Sequence, residues 1–236
     1  MDLKNIEWNN NSYQEFIKYL KSISEKEYKE FSEKITFTKY EMLGIRLPKL
    51  RSIAKDISKG NIQEFLKYSK NTYYEEIMIK LLVFANIKDI NVLMLYFDDA
   101  INLIDNWALC DTFCNSLKIV EKNKDYFLTK IDKLVKSNQT YHIRVGLILL
   151  LCYYVEEEYL DLILKYLDNI KSDEYYINMG EAWLICEIFI KYESVGLKYL
   201  EHNKLNKFTI NKSISKIRDS YRVSKEMKDY ILKFKK

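Results

Sequence analysis

The sequence predicts an all-α protein, a helical-repeat solenoid in which antiparallel helix pairs stack into an α–α superhelix. Three observations carry that prediction. One Pro and five Gly in 236 residues are too few turn-formers for a sandwich or barrel of many short strands. Apolar residues recur with a helical rather than an alternating period along most of the chain. Finally, helices beginning near Tyr73, Trp107, Thr140, Tyr175 and Lys207 follow one another at about 31 to 35 residues, each with a more amphipathic companion. That is the arithmetic of a helical-hairpin array. A chain of this length buries a sizeable core without disulfides. We expect one repeat domain over 1–236, with 1–42 as capping helices and 43–236 as the repeats.

The elements follow in order. Between Ser12 and Lys34, Tyr13, Phe16, Ile17 and Leu20, then Ile23, Tyr28 and Phe31, predict two amphipathic helices broken near Ser24. Gly44 then turns the chain, and Pro48 stands in the first turn of a helix running to about Lys59. Arg46, Lys49 and Arg51 make the start of that helix basic, where its dipole also favours an anion. Further helices are predicted near 62–70, 73–87, 90–103, 107–121, 125–136, 140–155, 158–171, 175–192, 194–202, 207–221 and 224–235. The longest apolar run, Val145 to Val155, is about half a membrane span and is bracketed by Arg144 and Glu156, so it predicts a buried helix.

Composition excludes several classes. Met1 to Trp8 carries acids where a signal peptide has a basic segment and an apolar run, so a cytoplasmic protein is expected. Cys110, Cys114, Cys152 and Cys186 form no CxxC, and only His142 and His202 accompany them. No metal set has recognisable spacing, and free thiols in a reducing compartment are expected, with neither metal nor cofactor. The net charge of +4 is unevenly spread: Lys204 to Lys236 holds 11 basic and 3 acidic residues, a net of +8. The remainder is therefore −4, an asymmetry that points to a polyanionic partner or a basic tail.

The singular residues fall on the recurring helices. Trp107 and Asp111 are four apart, so an indole and a carboxylate lie one turn apart on one helix face. A carboxylate stabilises a developing cation by Coulomb attraction and an indole does so through its quadrupole, more strongly when shielded from water. Arg144 is on the next such helix, Trp183 on the one after, and Lys212, Lys216, Arg218 and Arg222 on or just beyond the last. Cations, two indoles and a carboxylate along a concave face suit a nucleic-acid backbone. Asp105, just ahead of Trp107, is expected to cap that helix. Tyr175 and Tyr176 are expected to pack in the core at a helix start.

At these residues the chain resembles the AlkD family of DNA alkylation repair proteins, the alkylpurine DNA glycosylases built from HEAT-like repeats. The resemblance runs from about Leu43 to the C-terminus. Its carriers are Gly44-Ile45-Arg46-Leu47-Pro48-Lys49-Leu50-Arg51, Trp107 with Asp111, and Arg144-Val145-Gly146. Further along come Tyr175-Tyr176-Ile177-Asn178-Met179 leading to Ala182-Trp183-Leu184, then Asn211-Lys212 and Lys216 to Ser224. The resemblance implies a HEAT-like solenoid with a concave DNA-binding groove. It also implies that Trp107 and Trp183 flank the deoxyribose of a lesion, that Asp111 is the catalytic carboxylate, and that Arg144 holds a nearby phosphate.

The implied substrates are N3- and N7-alkylated purines in double-stranded DNA, such as 3-methyladenine and 7-methylguanine. Their positive charge makes the base a good leaving group, so no acid catalyst is required, and the base stays stacked rather than entering a pocket. The expected form is a monomer that contacts DNA through Arg144, Lys212, Lys216, Arg218, Arg222, Arg46 and Arg51. Two other readings use the same residues: a non-excising DNA-binding member that favours branched or distorted DNA, and a HEAT-like scaffold that binds protein.

Overall fold

The computed structural model describes residues 1–236 and is all-α, with fourteen α-helices and no strand. The chain forms two compact units, Met1–Lys122 and Asn123–Lys236. The division expected between residues 42 and 43 lies inside the first of them.

The first unit contains α1 (Asn10–Ser22), α2 (Lys26–Ile35), α3 (Leu47–Ile57), α4 (Ile62–Tyr68), α5 (Tyr74–Ala85), α6 (Ile90–Asn102) and α7 (Trp107–Ser116), closed by a 3-10 turn at Lys118–Lys122. Helix α5 packs against α3, α6 and α7, and all its residues except Tyr74 and Lys80 are buried. A helix apolar on every side belongs in an interior, and α5 is the spine of this unit. Its two buried acids are both hydrogen-bonded. Glu76 accepts from the Tyr13 hydroxyl at 2.6 Å and from the amides of Thr72 and Tyr73 at 3.0 and 2.7 Å. Helix α1 joins through aromatic contacts, with the Trp8 ring 5.5 Å from Phe16 and 5.0 Å from Phe65 of α4.

The second unit contains α8 (Lys124–Val135), α9 (Thr140–Tyr153), a 3-10 turn at Glu157–Tyr159, α10 (Leu160–Asn169), α11 (Tyr175–Lys191), α12 (Glu193–Glu201), α13 (Lys207–Asp219), α14 (Lys225–Tyr230) and a final 3-10 turn at Ile231–Phe234. Helix α9 packs on α8 and α11, and α11 packs on α9, α12 and α13. The close approach of α8 to α9 depends on Gly146, where an added Cβ would meet Val135 Cγ1 at 2.7 Å. In both units consecutive helices pair and stack as in an α-solenoid.

The predicted elements are all present, and the recurring helices start at Tyr74, Trp107, Thr140, Tyr175 and Lys207. Two ends differ. The helix expected over 107–121 stops at Ser116, whose hydroxyl bonds back to the Thr112 carbonyl at 2.7 Å. The chain then tightens into the 3-10 turn, which buries Leu117 and Val120. The last expected helix also finishes as a 3-10 turn. None of the four cysteines is joined in a disulfide, and no helix is long and apolar enough to cross a membrane.

Candidate functional site

In the first unit, the start of α7 organises the site. Asn106, in an extended conformation, caps the helix by accepting the amides of Ala108 and Leu109, both at 3.0 Å. The expected cap, Asp105, has a different task. Its carboxylate accepts from the Thr38 hydroxyl at 3.0 and 2.9 Å, the Lys39 amide at 2.7 Å and the Asn106 side-chain amide at 2.8 Å. Asn106 takes the cap because it stands immediately before the first helical residue, which leaves Asp105 one residue too early.

Trp107 donates its indole N–H to the Ile35 carbonyl at 3.2 Å, and the Tyr40 hydroxyl donates to the Leu103 carbonyl at 3.0 Å. The segment after α2 is thereby latched to the start of α7. One turn on, Asp111 joins Trp107, Thr112, Tyr28, Tyr74 and Glu75 around a cavity of about 210 Å³.

Glu75 is buried and accepts from three consecutive amides, those of Leu43, Gly44 and Ile45, at 2.8, 2.7 and 3.2 Å. Three such donors support a carboxylate away from water. The turn that supplies them needs glycine: Gly44 has φ +91°, and a Cβ there would sit 2.5 Å from the Glu25 carbonyl oxygen. Burial, with the charge of Glu75 beside it, pushes the Tyr74 hydroxyl upward. Arg46 and Arg51 are exposed, and both are engaged. Arg46 lies 4.7 Å over the Tyr28 ring and bonds Glu25 at 3.0 to 3.1 Å, and Arg51 donates to the Ser116 hydroxyl at 2.9 Å.

In the second unit, Trp183 is 41% exposed on α11, with Lys216 of α13 standing 5.5 Å from its ring. Lys212 lies 5.8 Å from the Phe208 ring, and Arg218 is exposed. Arg222 forms a bidentate pair with Glu187 at 3.1 and 2.8 Å. Arg144 is buried, and its guanidinium donates to the Tyr176 carbonyl at 2.7 Å.

Tyr175, expected in the core, is 52% exposed instead. It is the first residue of α11, where Ile177 and Asn178 take the inward positions. Ring centroids step from Tyr141 to Tyr176 (5.8 Å), Tyr175 (5.2 Å) and Phe208 (5.8 Å), an aromatic row over the starts of α9, α11 and α13 that periodicity alone did not reveal. Behind this surface α11 and α13 enclose Asn178, Glu181, Thr209 and Ser213, all buried. One oxygen of Glu181 accepts from the Thr209 hydroxyl at 3.4 Å, the other has no partner, and burial pushes the carboxyl up to about 8.

The first unit therefore offers a carboxylate and an indole on one wall of a part-enclosed cavity, chemistry that suits a transient cation. The second offers aromatic faces interleaved with cations. The family model described as DNA alkylation repair enzyme matches residues 16–217. No curated protein matches the chain.

Proposed function

The chain belongs to the family of DNA alkylation repair enzymes, and from that premise we propose that it is a DNA glycosylase that removes positively charged N3- and N7-alkylated purines. The observation that supports this reading is the pairing of Trp107 with Asp111, one helical turn apart on the wall of a single cavity.

The reaction asks little of the protein beyond electrostatics and position. The bond from C1′ to the purine breaks, its electron pair discharges the cationic base, and the sugar becomes oxocarbenium-like. Asp111 supplies the opposing negative charge and orients the water that adds to C1′, accepting a proton as it does so. The indole of Trp107 adds cation–π stabilisation of about 0.5 to 2 kcal/mol. Trp183 and Lys216 offer the DNA an aromatic face and a cation, and Lys212 and Arg218 meet phosphates. Arg46, Arg51 and Arg222 reach phosphates by exchanging their present partners, and Arg144 acts from a buried position. No metal or cofactor enters the scheme, and uncharged lesions are poor substrates.

The test is release of 3-methyladenine and 7-methylguanine from methylated duplex DNA. Asp111→Asn keeps the shape and removes the charge, so release should fall by roughly 10² to 10⁴ while DNA affinity survives. A folded wild-type protein that binds DNA and releases neither base would refute the glycosylase and leave a non-excising DNA-binding protein.

A further inference from the structure

We propose that Phe37, with Ile35 two residues before it, is an apolar wedge that enters the minor groove of duplex DNA beside the nucleotide whose sugar meets Trp107 and Asp111. The proposal rests on the glycosylase reading only for the position of that sugar.

At Thr36, which caps the end of α2, the backbone becomes extended, and from Ile35 to Tyr40 exposure alternates residue by residue. Ile35, Phe37 and Lys39 face solvent, whereas Thr36 and Tyr40 are buried and Thr38 is half-buried. The polarity is the reverse of what burial favours, because hydroxyls point inward and a phenylalanine points out. Phe37 is 73% exposed, and Ile35, at the end of α2, is 46% exposed. One exposed apolar residue needs no explanation, but a phenylalanine held outward on a segment fastened on both sides of it does.

This segment is also held rigidly. Asp105 grips Thr38 and Lys39, the Trp107 indole grips the Ile35 carbonyl, and Tyr40 reaches Leu103. The residues that hold it belong to the start of α7, and Ile35 and Thr36 line the same cavity as Trp107 and Asp111. The apolar patch is thus continuous with the proposed chemistry.

The occupant follows from that continuity. In a duplex the glycosidic bonds open toward the minor groove, so a carboxylate that reaches C1′ comes from that side. Apolar side chains next to it then meet base edges and sugars, and apolar wedges inserted there unstack a base step. Lys34 and Lys39, both exposed on either side of Phe37, suit the phosphates that border the groove.

The experiment uses the full chain in the Asp111→Asn background, so that the base is retained. The probe is a duplex carrying 7-methylguanine next to 2-aminopurine, whose fluorescence rises on unstacking. Binding should raise the fluorescence, Phe37→Ala should abolish the rise and weaken binding roughly tenfold, and Phe37→Leu should restore most of both. Because Phe37 is exposed, the thermal unfolding of each variant should match that of the parent. A Phe37→Ala protein with unchanged affinity and fluorescence would overturn the wedge and point to a protein partner for the patch. If the wild type releases no base but the Phe37-dependent fluorescence persists, the glycosylase fails and the wedge stands. If release is normal and the fluorescence ignores Phe37, the outcome is reversed.

Discussion

Replacing Glu181 with Gln should make the protein more stable at neutral pH and less stable in acid. Glu181 is 3% exposed between α11 and α13, one of its oxygens has no partner, and burial lifts its carboxyl from 4.5 to about 8. Below pH 4.5 the group is protonated whether the chain is folded or not, so it adds no pH dependence. Between 4.5 and 8 the unfolded chain has lost this proton and the folded protein keeps it. The folded state then binds more protons, and stability falls by about 1.4 kcal/mol per pH unit. By pH 7 the accumulated loss is about 3 kcal/mol, and above pH 8 both states are ionised and the loss stops growing. Gln removes the titration, but its N–H₂ takes the position that lacks a partner, which costs about 1 to 2 kcal/mol at every pH. The variant should therefore gain about 1 to 2 kcal/mol at pH 7, and the two stability curves should cross at about pH 5 to 6. Equilibrium urea unfolding of both proteins at half-unit steps from pH 4.5 to 8 measures this. A difference between them that stays constant across the range would refute the reasoning.

Two further substitutions test how the site is built. Gly44→Ala places a Cβ 2.5 Å from the Glu25 carbonyl oxygen at a φ of +91°, and should cost more than about 2 kcal/mol in urea unfolding. A change below about 0.5 kcal/mol would mean that the turn relaxes freely. Asn106→Ala removes the two amide bonds that cap α7 and should lower stability by about 1 kcal/mol. Faster hydrogen exchange at Ala108 and Leu109 should accompany that loss, and unchanged exchange there would show that the cap is dispensable.

The repeat spacing could be read from the chain because four of the five recurring helices are apolar through most of their length, and such runs survive any detail of packing; the last, α13, keeps only the helical spacing of Ile210, Ile214 and Ile217. Gly44 and Pro48 were readable for a similar reason, since their backbone preferences are local. What failed to show was whatever depends on a distant partner. Asp105 looks like a cap in sequence, yet Thr38 and Lys39, 67 and 66 residues away, claim its carboxylate. Glu75 looks like an acid at a helix start, and nothing near it announces the amides of Leu43 to Ile45. Tyr175 is as apolar as a core residue, and only its place as the first residue of α11 turns it outward. The Trp107–Asp111 pair was visible because its geometry is set within one helical turn. The cavity around it was hidden because Tyr28, Tyr74 and Glu75 arrive from other helices.

The latch between the segment after α2 and the start of α7 also dictates an order of events during folding. Thr38 and Lys39 have nothing to hold until Asp105 exists, and the Gly44 turn has no carboxylate to close on until Glu75 does. On a growing chain the first helices are therefore made long before the place they will occupy. A nascent chain halted before residue 105 would contain α1 to α6 with Phe37 on an untethered segment. Such contacts, far apart in sequence, close late and slow the search. The wall of the cavity beside Trp107 and Asp111 is thus among the last parts of the first unit to become solid.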